Sequence, residues 1–205
     1  MKKENIIIRH LCKQYEGKKV LNNASFDFPK GQTTCIMAPS GKGKTTLLRI
    51  LMGLEQADEG TILGMEGLKK SAVFQEDRLC ENLSASANIR LVSLKKIPGG
   101  KQQEIKDIHE AMEEMGLSGC EDQPVRELSG GMRRRVALLR ALYADWDILF
   151  LDEPFKGLDE ETKEKAIAYT KKCCQGKTVI FVTHDKREAK KMGDSICPWA
   201  KEDEI

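Results

Sequence analysis

The chain has 205 residues, enough for one domain with a proper core and a subdomain. Its 34 lysines and arginines stand against 32 acidic residues, and a net charge of +2 argues for neither nucleic acid nor a membrane surface as an electrostatic partner. The longest apolar runs are strand-length, far short of the ~18 residues of a membrane span, and the first residues lead into a strand rather than a signal peptide, so a soluble protein made in the cytoplasm is expected.

Ile6–Arg9 and Ala24–Phe28 read as strands, the second alternating Phe26 and Phe28 against Ser25 and Asp27. Gly17 marks a turn in the polar stretch between them. Tyr15, just before that turn, is either an aromatic packed on the sheet or a flat apolar surface of the kind a purine needs.

Thr33–Met37 is a β-rich run, and Leu47–Met52 is apolar almost throughout, as a buried helix is. Between them lie Ala38, Pro39, Ser40, Gly41, Lys42, Gly43, Lys44, Thr45 and Thr46. A strand, a small-residue loop and a helix form the context of a phosphate-binding P-loop. Small residues let successive backbone N–H groups converge on an anion, and the helix N-terminus adds partial positive charge. Lys44 would reach the β- and γ-phosphates, and the Thr45 hydroxyl would ligate the Mg²⁺ that bridges them. The motif usually opens with glycine, and Ala38 stands there. If that position needs positive φ, alanine costs roughly 1–2 kcal/mol, and otherwise it is harmless.

Thr61–Leu63 and Ser71–Phe74 read as short strands, the second running into Gln75, which taken alone reads as a solvated loop residue and otherwise points into the crevice where open α/β sheets bind ligands. From Asn82 to about Met115 the pattern is helical, with Ile105, Ile108, Met112 and Met115 as a core stripe and Val92–Gln102 as a surface loop. In Leu128–Met132, Ser129 reads as an N-cap, and Gly130 and Gly131 leave N–H groups bare at a second anion-binding helix start. Arg133–Arg135 reads as a solvated face that pairs with acidic neighbours, ahead of the apolar helix Val136–Tyr143.

Ile148–Leu151 has the continuous apolar character of a central parallel strand, and two carboxylates follow it. Asp152 would hold Mg²⁺ through water, and Glu153 would polarise an attacking water. Gly157–Asp159 turns into the helix Glu160–Cys174, closed by Gly176. Lys177–Val182 is a further buried strand that delivers His184 to its C-terminal edge, and a helix Lys186–Met192 and a strand near Ser195–Cys197 end the pattern. Seven cysteines, without a C-x-x-C or a histidine at metal-ligand spacing, are read as reduced thiols.

The ordered set Tyr15, Ala38–Thr45, Gln75, Leu128–Met132, Ile148–Glu153, Gly157–Asp159 and His184 resembles the ATP-binding cassette (ABC) ATPases over nearly the whole chain. The resemblance implies an α/β fold: a P-loop NTPase with a RecA-like core, a small antiparallel β region and an inserted helical subdomain. A single ABC ATPase domain spans 1–205, with its core in 1–75 and 129–205 and the subdomain in 76–128. By the same resemblance Tyr15 stacks on adenine, Gln75 senses Mg²⁺ and the attacking water, and His184 contacts the γ-phosphate. Asp159 crosses to a second protomer, and Ser129, Gly130 and Gly131 close on ATP held by the partner's P-loop. The working form is a homodimer with two composite ATP sites.

Two departures from the family pattern are Ala38 and Met132, the latter in place of a glutamine whose hydrogen bonds methionine cannot make. The placement is the ATP-hydrolysing subunit of a membrane transporter, peripheral on the inner face of the cell membrane. It most resembles bacterial importers of nitrate, sulfonate, taurine or pyrimidines, which share the run Phe155–Asp159. Leu79, Leu83 and Ile89 would help line the groove for an integral membrane permease, an extracytoplasmic substrate-binding protein would complete the system, and nucleic acid is not a partner. The alternatives are a soluble ABC ATPase outside transport and a weakly hydrolysing nucleotide-binding regulator.

Overall fold

A computed structural model describes residues 5–39, 41–93 and 100–199. They divide into two compact units. The first takes its described residues from Met1–Ala72, Asp147–Glu153 and Cys174–Ile205, and the second from Val73–Trp146 and Pro154–Cys173.

The first unit begins with a hairpin of β1 (Ile6–Tyr15) and β2 (Lys18–Phe28), to which β4 (Glu59–Leu63) adds antiparallel on the far side of β1. Ile6, Ile8, Leu11, Phe26 and Phe28 face its core. Both hairpin strands are longer than the sequence pattern predicts. The cause is a series of register shifts between Ile8 and Gln14, which break the two-residue alternation and make the polar second half of β1 look like a loop. At the bulge His10 and Asn23 both adopt left-handed backbone, φ 53° and 52°, and their side chains meet at 2.7 Å.

The second sheet runs β5-β6-β7-β3-β8, with β3 Thr33–Met37, β5 Lys70–Val73, β6 Ile148–Asp152, β7 Thr178–Thr183 and β8 Ser195–Pro198. β3 pairs in parallel with β7 and β8, and β6 with β7. Every residue of β6 and β7 is buried, which matches their unbroken apolar runs. The helix α1 (Lys44–Met52) packs on β6 and stops at Gly53, whose φ of 80° closes the last turn. Another helix, α6 (Lys186–Met192), packs against β3 and β7. None of the seven cysteines forms a disulfide, and burial pushes the Cys35 thiol up to about 12.

The second unit is built on four helices: α2 (Ala85–Arg90), α3 (Gly100–Glu114), α4 (Gly130–Tyr143) and α5 (Glu160–Cys174). Ile108, Met112 and Met115 form the core stripe the periodicity predicts, while Ile105 is half-buried. Of the loop expected over Val92–Gln102, residues 94–99 lie outside the described residues, and Gly100–Gln102 belong to α3. Ile89 is wholly buried in this unit and cannot line an exposed groove, whereas Leu83 is 38% exposed and Leu79 half-buried.

The arginine run also departs from expectation. Arg134 and Arg135 are 5% and 9% exposed rather than solvated. Arg135 donates to the carbonyls of Met115 and Gly116 at 2.8 and 2.7 Å, satisfying acceptors left bare where α3 ends. Arg134 likewise spends its donors on buried carbonyls.

Asn88 on α2 is fully buried and organises the loop before it. Its Oδ1 accepts from Cys80 N–H at 2.8 Å, and its Nδ2 lies 3.0 Å from the carbonyls of Cys80 and Ser84. Asn88→Ala strands these groups, at a cost of about 2 kcal/mol, which in a chain of this size lowers Tm by about 4–8 °C. Calorimetry checks this, and a shift below about 2 °C would contradict it.

Candidate functional site

β3 delivers the chain into the loop that precedes α1, and Gly41 and Gly43 turn it with φ 82° and 86°. Gly43 is constrained twice: a Cβ there would lie 2.5 Å from the Val20 carbonyl and 2.9 Å from Leu21 Cδ2. No side chain caps α1 and no acidic residue occupies its first turn, which leaves its first amides for an anion. Ala38 is absent from the positive-φ positions among the described residues, so alanine there carries no backbone cost. Ser40 lies outside the described residues, while Lys42 is exposed and Thr46 half-buried at the start of α1.

Lys44 is 6% exposed, and its Nζ donates to the Ala38 and Pro39 carbonyls at 2.7 Å each. Burial pulls its pKa below the ordinary lysine value, against the upward pull of the Glu153 and Asp152 carboxylates. Thr45 Oγ1 donates to Asp152 Oδ2 at 2.6 Å, and Asp152 is 1% exposed at the end of β6. Glu153 follows in left-handed backbone, φ 46°, a conformation costing a non-glycine residue roughly 1–2 kcal/mol. Its N–H is fixed by the Val182 carbonyl at 2.9 Å, and its Oε1 meets His184 Nδ1 at 3.0 Å.

The side chain of His184 is 61% exposed, and its backbone is held from below. Thr183 Oγ1 donates to buried Glu188 at 2.6 Å and accepts from Asp185 N–H, while Asp185 caps α6. Tyr15 ends β1 with 40% exposure and Lys13 Nζ 5.4 Å from its ring centre, and Lys13 is itself tied to Asp58 at 3.0 Å. The first unit thus brings together Lys44, Thr45, Asp152, Glu153 and His184. It also holds Tyr15.

The other expected residues sit in the second unit. Gln75 is exposed just past β5. Ser129 caps α4, accepting from Met132 N–H at 3.3 Å, and a Cβ on Gly130 would meet open space. At Gly131 a Cβ would touch Leu158 Cδ2 at 3.4 Å. Asp159 accepts from Thr162 N–H at 3.0 Å, and that amide holds its carboxyl below the usual carboxylate range. Arg134, which donates to the backbone around Gln75 and to the Pro154 carbonyl, was not legible from sequence, because a buried arginine in a basic run has no pattern of its own.

Among the described residues no group of three or more His, Cys, Asp or Glu is placed to hold a metal. A hydroxyl and a carboxylate in contact are two hard oxygen donors, the kind of partial set Mg²⁺ takes when phosphates and waters fill the rest of its shell. A strand, a glycine loop closing on a helix start, and a carboxylate pair at the end of another strand of the same sheet define a P-loop nucleotide-binding fold.

The ABC transporter family profile matches residues 21–156. The chain belongs to the ABC transporter family, as an ATP-binding cassette ATPase domain. It is 38% identical over 202 residues to the spermidine/putrescine import ATP-binding protein PotA of Spiroplasma citri, covering 92% of this chain and 57% of that one. It is 35% identical to the sulfate/thiosulfate import ATP-binding protein CysA of Xylella fastidiosa, covering 93% and 59%. The chain therefore spans under two thirds of the length of these curated relatives. The dimeric post-hydrolysis structure of the ATP-binding cassette MJ0796 bound to ADP and Pi superposes with a TM-score of 0.81 at 29% identity, covering 95% of this chain and 94% of that one.

The two P-loop glycines separate conformational from steric demand. Gly41→Ala imposes only left-handed backbone on alanine, about 1–2 kcal/mol, and ATP affinity falls by roughly an order of magnitude. Gly43→Ala adds a backbone collision, and affinity falls by at least tenfold more. Calorimetric titration of both variants checks the order, and equal losses would contradict it.

Proposed function

We propose that the chain binds Mg-ATP in the first unit, hydrolyses it, and dimerises on ATP to drive import through a separate membrane permease. The observation that carries this reading is the convergence of Lys44, Thr45, Asp152, Glu153 and His184 on one end of one parallel sheet. The phosphates rest on the amides of Gly41–Thr46, with Pro39 and Ser40 leading in. Lys44 exchanges the Ala38 and Pro39 carbonyls for the β- and γ-phosphate oxygens, a charge-assisted replacement for two neutral acceptors. Thr45 and Asp152 would hold Mg²⁺, with Gln75 as a further ligand and sensor, and the ion would supply charge neutralisation to the phosphates.

Glu153 accepts a proton from the attacking water, and His184 steadies that carboxylate while presenting its exposed ring edge toward the γ-phosphate. Tyr15 offers its ring to adenine. Ser129, Gly130 and Gly131 have their anion only when a second copy brings one, and Asp159 reaches that copy. Met132 tunes this closure without abolishing it. Residues 1–205 act as an ABC ATPase domain, with its core in 1–75 and 129–205 and a helical subdomain in 76–128.

Import is supported by the printed names of the relatives, which are import ATP-binding proteins. The Phe155–Asp159 run favours importers of the nitrate, sulfonate, taurine and pyrimidine group, whereas the relatives are named for polyamine and sulfate import. No helix among the described residues is long and apolar enough to cross a membrane. In this reading a permease supplies the path, and the domain works peripherally on the inner face. Leu83, half-buried Leu79 and the loop framed by Asn88 are the apolar surface offered to it. An extracytoplasmic binding protein delivers the substrate.

Glu153→Gln keeps shape but removes the proton acceptor, so kcat for ATP falls at least about a hundredfold while ATP binding persists. Phosphate release and light scattering together check this: the variant is monomeric alone and dimeric in Mg-ATP. Hydrolysis at the wild-type rate would contradict the assignment.

A further inference from the structure

We propose that Arg134 is a positioning residue that ties the Gln75 turn and the backbone following Glu153 to a single guanidinium. The side chain is 6% exposed. Its Nε donates to the Pro154 carbonyl at 3.0 Å. Its Nη1 donates to the Phe74 carbonyl, lies 3.5 Å from the Gln75 carbonyl, and reaches Asp77 Oδ1 at 3.1 Å. Two chain segments distant in sequence therefore share one rigid, planar set of donors.

What these segments carry gives the contact its consequence. Gln75 is exposed, so its side chain is aimed by its backbone rather than by packing. Glu153 stands in left-handed backbone that a glutamate does not adopt unaided. It is pinned from both sides: its own N–H by the Val182 carbonyl, and the carbonyl of the next residue, Pro154, by Arg134. Pro154 has no N–H of its own to anchor it, so its carbonyl is the handle that remains. Arg134 thus fixes the backbone from which the Gln75 side chain projects and the peptide that follows Glu153. A lysine cannot substitute, because one ammonium on a flexible stem does not present donors to opposite sides in a fixed plane.

This inference rests on the reading of Glu153 as the proton acceptor, and Glu153→Gln is therefore run beside it. The experiment measures kcat, KM for Mg-ATP and Tm for Arg134→Lys, Arg134→Gln, Gln75→Ala and Asp77→Asn, and for Arg134→Lys combined with Gln75→Ala. Arg134→Lys and Arg134→Gln lower kcat at least tenfold with KM within threefold. Adding Gln75→Ala to Arg134→Lys costs less than threefold more than the stronger single change, because the two act through one element. Asp77→Asn, which leaves the carbonyl contacts in place, changes kcat less than threefold. A kcat within threefold of wild type in Arg134→Lys, or losses that multiply in the double variant, would overturn the inference. So would a joint collapse of Tm and ATP affinity in both arginine variants, which would make Arg134 a folding residue. If Glu153→Gln hydrolyses ATP normally, it is the reading of the site that fails instead.

Discussion

The hydrogen bond from Thr45 to Asp152 closes the site on itself. It joins the first turn of α1 to the end of β6, two points brought together because the sheet seats β7 between β3 and β6 and the helix packs on β6. Both ends are rigid for ordinary reasons: β6 is buried along its whole length, and α1 starts where Gly43 has no room for a side chain. In the proposed function this oxygen pair would hold a small hard cation, while the lysine beside it donates to two backbone carbonyls.

Three residues at positive φ, Gly41, Gly43 and Glu153, lie around the same point, beside parallel pairs that carry no register shift; others, His10, Glu16 and Asn23 among them, lie in the hairpin. The glycines accept that conformation freely, and Glu153 does not, so its geometry must be imposed by the fixed ends of its flanking peptides. Strain of this kind costs stability and places a carboxylate where packing alone would not.

Much of this was legible in the sequence, because burial on both faces leaves an unbroken apolar run. Thr33–Met37 and the helices Glu160–Cys174 and Lys186–Met192 have the bounds the pattern predicts, as does the Ser129 cap. The hairpin did not read through, since three register shifts scramble its alternation. Arg134 and Arg135 looked like surface residues because charge says nothing about which carbonyls a fold leaves bare. Ile89 lies in the core since α2 turns that face inward. Ala38 could be settled only by its dihedral angle, which no residue type announces.

Thr45 and Asp152 are proposed to act as one ligand for the cation that accompanies ATP. Titrating ATP with Mg²⁺ and with a chelator into the wild type, Thr45→Val, Asp152→Asn and the double variant measures this directly. The expected result is that Mg²⁺ tightens binding to the wild type, that each single change removes most of that gain, and that the double change removes little more. A gain that survives either single change, or losses that multiply in the double variant, would contradict it.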